Sequence, residues 1–311
     1  MTETVKSLPG GVFAAIPTPM RDDLSVDHAL LAEHSRWLLA NGCDGLLVLG
    51  TTGEANSLSV TERIELLDRL VADDLPAKRL LCGTGCCALP DTVALTRHAL
   101  ANDVGGVLIL PPFYYKNVSD DGLYAVYDQL IQQIGDTRLR IFLYHFPQMS
   151  GVPISHALIE RLVRAYPATV VGMKDSSGDW DNMRTTCERL PGFRVYAGSE
   201  QYLLPILRAG GVGCISATTN VTAPLAARVY ADWHAPDAEA HQARVNEVRG
   251  AIESYSAIPA LKFLMAERRG LASWRNMRPP LMPLANEQAR ELSARLARLR
   301  FPISARSTEQ S

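Results

Sequence analysis

The stretch from residue 170 to residue 197, VVGMKDSSGDWDNMRTTCERLPGFRVYA, contains a strand, a helix and a second strand. Val170–Lys174 and Val195–Ala197 are short and almost wholly apolar, which is typical of strands covered on both faces in a parallel sheet. Asp179–Leu190 between them has the spacing of an amphipathic helix. This unit predicts an α/β fold with parallel strands.

The same alternation recurs along the chain. Further predicted strands are Val12–Pro17, Gly45–Leu49, Leu80–Cys82, Gly106–Leu110, Ile141–Tyr144 and Gly213–Ser216. Further predicted helices are Asp27–Ala40, Ser59–Leu70, Pro90–Ala101, Asp120–Ile134, Ser155–Ala165, Glu200–Ala209 and Ala223–Trp233. Eight strand–helix units in a row favour a (β/α)8 TIM barrel. The alternative, a doubly wound sheet, lacks its glycine-rich dinucleotide loop here.

The pattern changes after about Ala235, where three helices follow without a strand. We predict these helices at Ala238–Tyr255, Pro259–Arg269 and Asn286–Leu299. The predicted division is therefore a catalytic barrel at residues 1–235 and a C-terminal helical extension at residues 236–311. The last eight residues, Ser304–Ser311, are polar and are expected to be frayed.

Composition excludes several classes of protein. The 311 residues are 47% hydrophobic and 21% charged, with a net charge of -2, so a large core is expected and nothing favours binding to nucleic acid or an anionic membrane. The N-terminus lacks the pattern of a signal peptide, and no apolar run is long enough to span a membrane. Six scattered cysteines fit a reducing, cytoplasmic location. Cys82, Cys86 and Cys87 lack a second ligand pair, so no metal site is predicted.

Polar residues follow several predicted strands, and in such barrels the active site lies at the carboxyl ends of the strands. These ends carry Gly50–Glu54 (GTTGE), Pro111–Tyr115 (PPFYY), Tyr144–Pro147 (YHFP), Lys174–Gly178 (KDSSG) and Ile215–Asn220 (ISATTN). One lysine, several tyrosines and a pair of threonines thus converge on one rim.

Lys174 is the informative residue of this rim. Burial in the mouth of a barrel disfavours the ammonium and leaves a neutral amine that can attack a ketone. The alternatives are a lysine that extends to solvent or one that pairs with Asp175. Tyr144 is either a proton-transfer group or a core tyrosine. Thr51 and Thr52 lie in a glycine-flanked turn that is either an anion site or an ordinary turn.

Five motifs in order resemble the dihydrodipicolinate synthase / N-acetylneuraminate lyase family of class I pyruvate aldolases. They are GTTGE at Gly50–Glu54, PFY at Pro112–Tyr114, YHFP at Tyr144–Pro147, GMKDSSG at Gly172–Gly178 and GCIS at Gly213–Ser216. Any one of them alone is weak, but five at successive strand ends are specific. The resemblance covers about Val12 to Asn220.

The resemblance implies roles for several residues. By this resemblance Lys174 is the Schiff-base lysine, Tyr144 is the acid–base phenol and Thr51 is the proton-relay threonine. Thr52, with Gly53 beside it, is the site that binds the pyruvate carboxylate. Tyr114 is a tyrosine that reaches the active site of a second subunit across a dimer interface, and Ile215 is a residue whose carbonyl faces the lysine. It also implies a homotetramer built as a dimer of dimers. The Schiff base at Lys174 makes a cofactor unnecessary.

Departures from the family pattern bear on the substrate. Met149 stands where dihydrodipicolinate synthases carry an arginine for a second carboxylate, and methionine cannot bind a carboxylate. Sialic acid lyases have an acidic pair and a serine where this chain has Glu200 and Ala217. We list Met149, Ser176 and Glu200 as substrate contacts. His145 either contacts the substrate or, with better support from strand alternation, packs outside the barrel as a neutral imidazole.

The resulting prediction is a lyase that makes or breaks a carbon–carbon bond between pyruvate and an aldehyde. The substrate is predicted to be a 2-keto-3-deoxy sugar acid or another 4-hydroxy-2-oxo acid. Alternatives are 4-hydroxy-tetrahydrodipicolinate synthase and a Schiff-base dehydratase of a keto-deoxy sugar acid. An alternative of another class is a non-catalytic barrel that binds a 2-oxo acid.

Overall fold

A computed structural model describes residues 10–303, in which eight parallel strands close into a barrel in sequence order. The strands are β1 Gly11–Ala15, β2 Gly45–Val48, β3 Leu80–Gly83, β4 Gly106–Ile109, β5 Ile141–His145, β6 Val170–Asp175, β7 Arg194–Ala197 and β8 Gly213–Ser216. Pairing of β1 with β8 closes the ring. The predicted (β/α)8 TIM barrel is confirmed.

Helices follow the strands and form the outer layer. Those of the barrel are α1 His28–Ala40, α2 Val60–Ala72, α3 Leu89–Ala101, α4 Asp120–Ile134, α5 Pro147–Ser150, α6 His156–Ala165, α7 Trp180–Arg189, α8 Leu203–Arg208 and α9 Thr219–Ala231. The C-terminal helices are α10 Ala238–Glu253, α11 Ala257–Arg269 and α12 Asn286–Arg298. Short 3-10 helices lie at Ala55–Ser57, Ala77–Arg79, Glu200–Tyr202 and Ala272–Arg275.

Alternate strand residues face opposite sides of the barrel wall, as the period of two requires. One face fills the interior with large side chains, which are Phe13, Leu47, Leu81, Leu108, Phe142, Tyr144, Val171, Tyr196 and Ile215. Residues of the other face, such as Val12 and Cys214, pack against the helices in a second and larger apolar cluster. The near-continuous apolar character of the strands follows from this two-sided burial.

Side chains cap the starts of several barrel helices. Ser59 forms a capping box with Glu62, and the Asp27 side chain accepts from the Leu30 N–H. Helix α9 differs, because it begins at Thr219 instead of Ala223 and carries Pro224 inside. The predicted helix Glu200–Ala209 is a 3-10 turn followed by the short α8, and the single turn α5 was not predicted.

The C-terminal helices bury their own apolar cluster against the barrel. Val248 of α10, Leu261 of α11 and Leu292 of α12 surround the fully buried Trp274, and Val221 of α9 joins them to the barrel. The division near Ala235 stays a prediction, and the tail Ser304–Ser311 lies outside the described residues. Within residues 10–303 no helix has the length and apolar character needed to cross a bilayer.

Candidate active site

Lys174 lies at the carboxyl end of β6 and points into the mouth of the barrel. Its partner in the neighbouring strand is Tyr144, which β5 presents at the same level. The Lys174 Nζ donates to the Tyr144 Oη at 3.3 Å, and both side chains are buried, at 4% and 3% exposure. The alternative in which the Lys174 amine extends to solvent is therefore wrong.

The next residues of both strands face the opposite way. The Asp175 carboxylate accepts from Ser177 and from the Asn182 side-chain amide, so it is engaged in the helix layer and does not neutralise Lys174. The His145 Nδ1 accepts from the Ile154 N–H at 3.1 Å. Burial lowers the pKa of His145, which favours the neutral imidazole. The packed alternative for His145 is therefore the one seen.

A turn after β2 completes the polar row at the barrel mouth. The Thr51 Oγ1 lies 3.5 Å from the Tyr144 Oη, at the limit of a hydrogen bond. Thr52 is buried, and the Gly53 carbonyl accepts from the Thr18 hydroxyl at 2.7 Å. A side chain at Gly53 would come within 3.1 Å of the Ile16 carbonyl oxygen, so the close backbone approach favours glycine. The Lys174 amine, the Tyr144 phenol and the Thr51 hydroxyl form one continuous row of polar groups.

Two more residues that were predicted to contact the substrate lie next to this row of polar groups. Ile215 is fully buried on the inner face of β8, in the same cluster as Tyr144. The Ser176 N–H donates to the His145 carbonyl at 2.8 Å. The Ser176 hydroxyl lies where a side chain at residue 198 would stand, which explains Gly198. Both residues therefore lie at the carboxyl ends of the strands, as predicted.

Tyr114 and Met149 lie on the outer rim of the mouth. Tyr114 and Tyr115 are 75% and 73% exposed and pack edge to face, while Met149 is 61% exposed. The Lys116 Nζ donates to the Ser150 carbonyl at 2.6 Å and so ties the loop after β4 to the short helix that carries Met149. The single chain thus exposes an unusual amount of apolar surface beside the site.

Glu200 is not where the substrate contact was predicted. Its carboxylate is fully buried and accepts from four groups, which are the hydroxyls of Ser216, Thr218 and Thr222 and the guanidinium of Arg249. Ser216 follows the inward-facing Ile215 and faces the helix layer, so Glu200 lies outside the barrel wall. Burial raises the pKa of Glu200, but Arg249 and the hydroxyls outweigh it and the net pKa is lowered. The carboxylate oxygens are thus already occupied.

Two residues that contact the backbone or side chains around the site, Asn220 and Lys262, were not predicted from the sequence. Asn220 donates to the Ala15 and Ala217 carbonyls and so joins the ends of β1 and β8. Lys262 of α11 forms a buried ion pair with Glu54, in the turn after β2. The one available signal was a lysine inside the apolar run ALKFLMA of α11. Over residues 10–303, no group of three or more His, Cys, Asp or Glu side chains is placed to hold a metal ion.

A sequence model of the dihydrodipicolinate synthetase family matches residues 8–299. The chain belongs to the dihydrodipicolinate synthetase family. It is 36% identical to an uncharacterized DapA-like lyase of Chloroflexus aurantiacus, over 94% of this chain and 97% of that protein. It is 32% identical to a 4-hydroxy-tetrahydrodipicolinate synthase of Acidiphilium cryptum, over 93% of this chain and 98% of that one.

Solved structures of the dihydrodipicolinate synthetase family have the same fold. The crystal structure of dihydrodipicolinate synthase from Agrobacterium tumefaciens matches with a TM-score of 0.86 and 31% identity, over 93% of this chain and 99% of that one. The chain is thus a lyase of the class I aldolase type, as predicted. The alternative of a non-catalytic barrel is dropped.

Proposed function

We propose that Lys174 forms a Schiff base with a pyruvate-like 2-oxo acid and that the protein makes or breaks the carbon–carbon bond next to it. The observation that supports this proposal is the buried Lys174 Nζ donating to the Tyr144 Oη at 3.3 Å. A desolvated amine beside a phenol combines a nucleophile with a proton-transfer group at one carbonyl. The lysine supplies the electron sink, so the proposal includes no metal or organic cofactor.

In the cleavage direction, the Lys174 amine adds to C2 of the 2-oxo acid. Water then leaves with one proton from the amine and one from the Tyr144 phenol, which gives an iminium and a phenolate. The iminium withdraws electrons from C3, so the C3–C4 bond breaks as Tyr144 accepts the proton of the C4 hydroxyl and an aldehyde leaves. The remaining enamine takes a proton at C3, and water then adds to C2 to release pyruvate and the free amine. Thr51 and the partner subunit's Tyr114 relay the proton from Tyr144.

The carboxylate of the 2-oxo acid is assigned to the turn after β2. Thr52 contributes a hydroxyl, and the turn offers backbone N–H groups to the anion. Ser176, which follows β6, and the Ile215 carbonyl of β8 complete the polar surroundings of the amine. Proximity of the two reactants in this mouth supplies much of the acceleration.

The substrate is proposed to be a 2-keto-3-deoxy sugar acid or another 4-hydroxy-2-oxo acid. Met149, 61% exposed on the rim, offers no charge for a second carboxylate. The similarity to the 4-hydroxy-tetrahydrodipicolinate synthase of Acidiphilium cryptum favours that activity as a second candidate. A Schiff-base dehydratase uses the same lysine and phenol. Pyruvate released or consumed should be measured with keto-deoxy sugar acids, sialic acid and aspartate semialdehyde, since turnover of aspartate semialdehyde alone would overturn the first choice.

The Schiff base is tested by borohydride reduction in the presence of pyruvate, followed by intact-mass measurement. We expect one stable adduct per chain in the unaltered protein and none in Lys174→Ala. Lys78 is exposed, pairs with Asp103 and precedes β3, at the amino end of that strand. It provides the matched control, so Lys78→Ala should still form the adduct. An adduct that persists in Lys174→Ala, or no adduct in the unaltered protein, contradicts the proposal.

We propose further that the protein is a cytoplasmic homotetramer, a dimer of dimers in which Tyr114 reaches the partner's site. The exposed and adjoining rings of Tyr114 and Tyr115 support this assignment, because contiguous exposed apolar surface often marks a contact with another protein. Tyr114→Phe is expected to keep the dimer and lower turnover, because only the hydroxyl is lost. Sedimentation measures the assembly, and a fully active monomer would contradict the shared site.

A further inference from the structure

Glu54, the last residue of the GTTGE motif, lies in a buried ion pair with a residue 208 positions later in the chain, Lys262. Neither side chain has any solvent exposure. The Lys262 Nζ also donates to the Asn276 carbonyl at 2.7 Å, so the ammonium is held from two directions. Burial lowers the pKa of Lys262, and the charge of Glu54 opposes this shift. The pair joins α11 of the C-terminal region to the turn that follows β2.

The backbone of Glu54 has an uncommon conformation. Its φ of 56° and ψ of 33° place it in the left-handed region, which residues other than glycine rarely adopt. Its N–H donates to the Thr51 carbonyl at 3.0 Å and closes the turn Thr51–Glu54. A residue in such a conformation persists where surrounding contacts hold it. The ion pair with Lys262 is such a contact.

Other contacts from distant segments reach the same turn. The Thr18 hydroxyl donates to the Gly53 carbonyl, and the Arg278 N–H lies 3.4 Å from the Glu54 Oε2. The Arg278 guanidinium donates to the Ser57 carbonyl at 2.7 Å. The C-terminal region therefore contacts the segment that presents Thr51 and Thr52.

We infer that Lys262 is a positioning residue that holds Glu54 and thereby fixes the turn Thr51–Glu54 in the geometry that binds the carboxylate of the 2-oxo acid. This inference rests on the proposed function of that turn. It gives the helical extension an indirect part in substrate binding, through Glu54. The competing explanation is an ion pair that only stabilises the fold. The two explanations predict different pyruvate affinities for a variant in which both charges are removed.

The test compares Lys262→Met with the double variant Glu54→Gln/Lys262→Met. The single variant leaves Glu54 as an unpaired buried charge, whereas the double variant leaves none. We therefore expect the double variant to regain stability against denaturant but not affinity for pyruvate. Leu292→Ala, a fully buried residue of α12 in the same C-terminal cluster, destabilises without touching the turn and is the matched control.

Affinity is measured as the pyruvate concentration that gives half of the maximal rate of borohydride-trapped adduct. We expect this concentration to rise between about tenfold and a hundredfold in Lys262→Met and in the double variant, because small displacements of a binding group weaken a positioned reactant strongly. The maximal trapping rate should change less, since Lys174 and Tyr144 are untouched. Leu292→Ala should leave both values near those of the unaltered protein.

Hydrogen exchange of the Glu54 and Ala55 amides gives a readout that needs no ligand. Faster exchange is expected in both Lys262 variants and not in Leu292→Ala. Pyruvate affinity that recovers together with stability in the double variant, or turn amides that stay protected, would overturn the positioning role. Failure of the unaltered protein to form any adduct would instead contradict the proposed function, and the exchange measurement would still decide the role of Lys262.

Discussion

β5 and β6 each end in two polar residues, of which one faces the barrel interior and the other faces the helix layer. The inward and outward side chains have different surroundings. Tyr144 and Lys174 face the barrel interior, where the amine meets the phenol and the phenol lies near Thr51. His145 and Asp175 face the helix layer, where backbone and side-chain donors contact the imidazole nitrogen and both carboxylate oxygens. The inner pair is available for chemistry, and the outer pair stabilises the wall.

This difference shows that neighbours in sequence have unrelated roles when they lie on a strand. Lys174 and Asp175 are adjacent and oppositely charged, yet the period of two places them on opposite sides of the wall. A substitution on the inner face should therefore change catalysis, and one on the outer face should change stability.

The largest effect is expected on the inner face, for Tyr144→Phe. Loss of the phenol removes the proton acceptor for the C4 hydroxyl, so kcat should fall by about 10²- to 10⁴-fold. The reduced pyruvate adduct should still form, because Lys174 remains. Steady-state kinetics and intact-mass analysis measure the two effects separately.

Tyr127→Phe is the matched control for that experiment. Tyr127 is a fully buried tyrosine of α4 whose hydroxyl donates to the Ile109 carbonyl at 3.3 Å, outside the barrel interior. Its loss should cost about 1 kcal/mol of unfolding free energy and leave kcat unchanged. Full turnover in Tyr144→Phe would contradict the assigned role of the phenol.

The inner face was the predictable part of the molecule. Each strand could be read from a local apolar run, and Lys174, Tyr144 and Thr51 could be placed together because all three follow such runs. The barrel and the family confirm the predicted fold, and the structure brings the three side chains within hydrogen-bonding reach of one another. Tyr144 and Thr51 are 93 residues apart, so only the assumed barrel brought them together.

The outer layer was less predictable because its partners come from distant helices. The carboxylate of Glu200 was assigned to the substrate, but it turns outward to Arg249 of α10, 49 residues later. No local pattern marks that partner. The start of α9 at Thr219 was missed because Pro224 resembles a first-turn proline. Tertiary contacts decided both cases.

A pH-dependent loss of stability is expected to come from the helix layer, through His34. Burial lowers the pKa of His34 to about 4, although its ring nitrogen contacts the Asn220 side-chain oxygen at 2.9 Å. The unfolded chain binds a proton near pH 6.5, so between pH 6.5 and 4 it binds more protons than the folded chain. Stability is therefore full above pH 6.5 and falls by about 3 kcal/mol as the pH drops to 4.

Chemical denaturation at pH 8 and at pH 4 measures this loss. His34→Gln should lose less stability than the unaltered protein over that interval, because glutamine does not titrate. Leu38→Ala, in the same helix and fully buried, lowers stability at both pH values alike and controls for packing. An equal pH dependence in His34→Gln would assign the acid sensitivity to other groups.

The smallest effect is expected on the outer face of β6, for Asp175→Asn. One oxygen becomes an amide that cannot accept from Ser177 or Asn182, which should cost about 1–3 kcal/mol of unfolding free energy. Lys174, one residue earlier, should still trap pyruvate at a rate close to that of the unaltered protein. Loss of trapping in a folded Asp175→Asn would show that the two faces are coupled, and the separation of chemistry from stability would then fail at the residue next to Lys174 in the sequence.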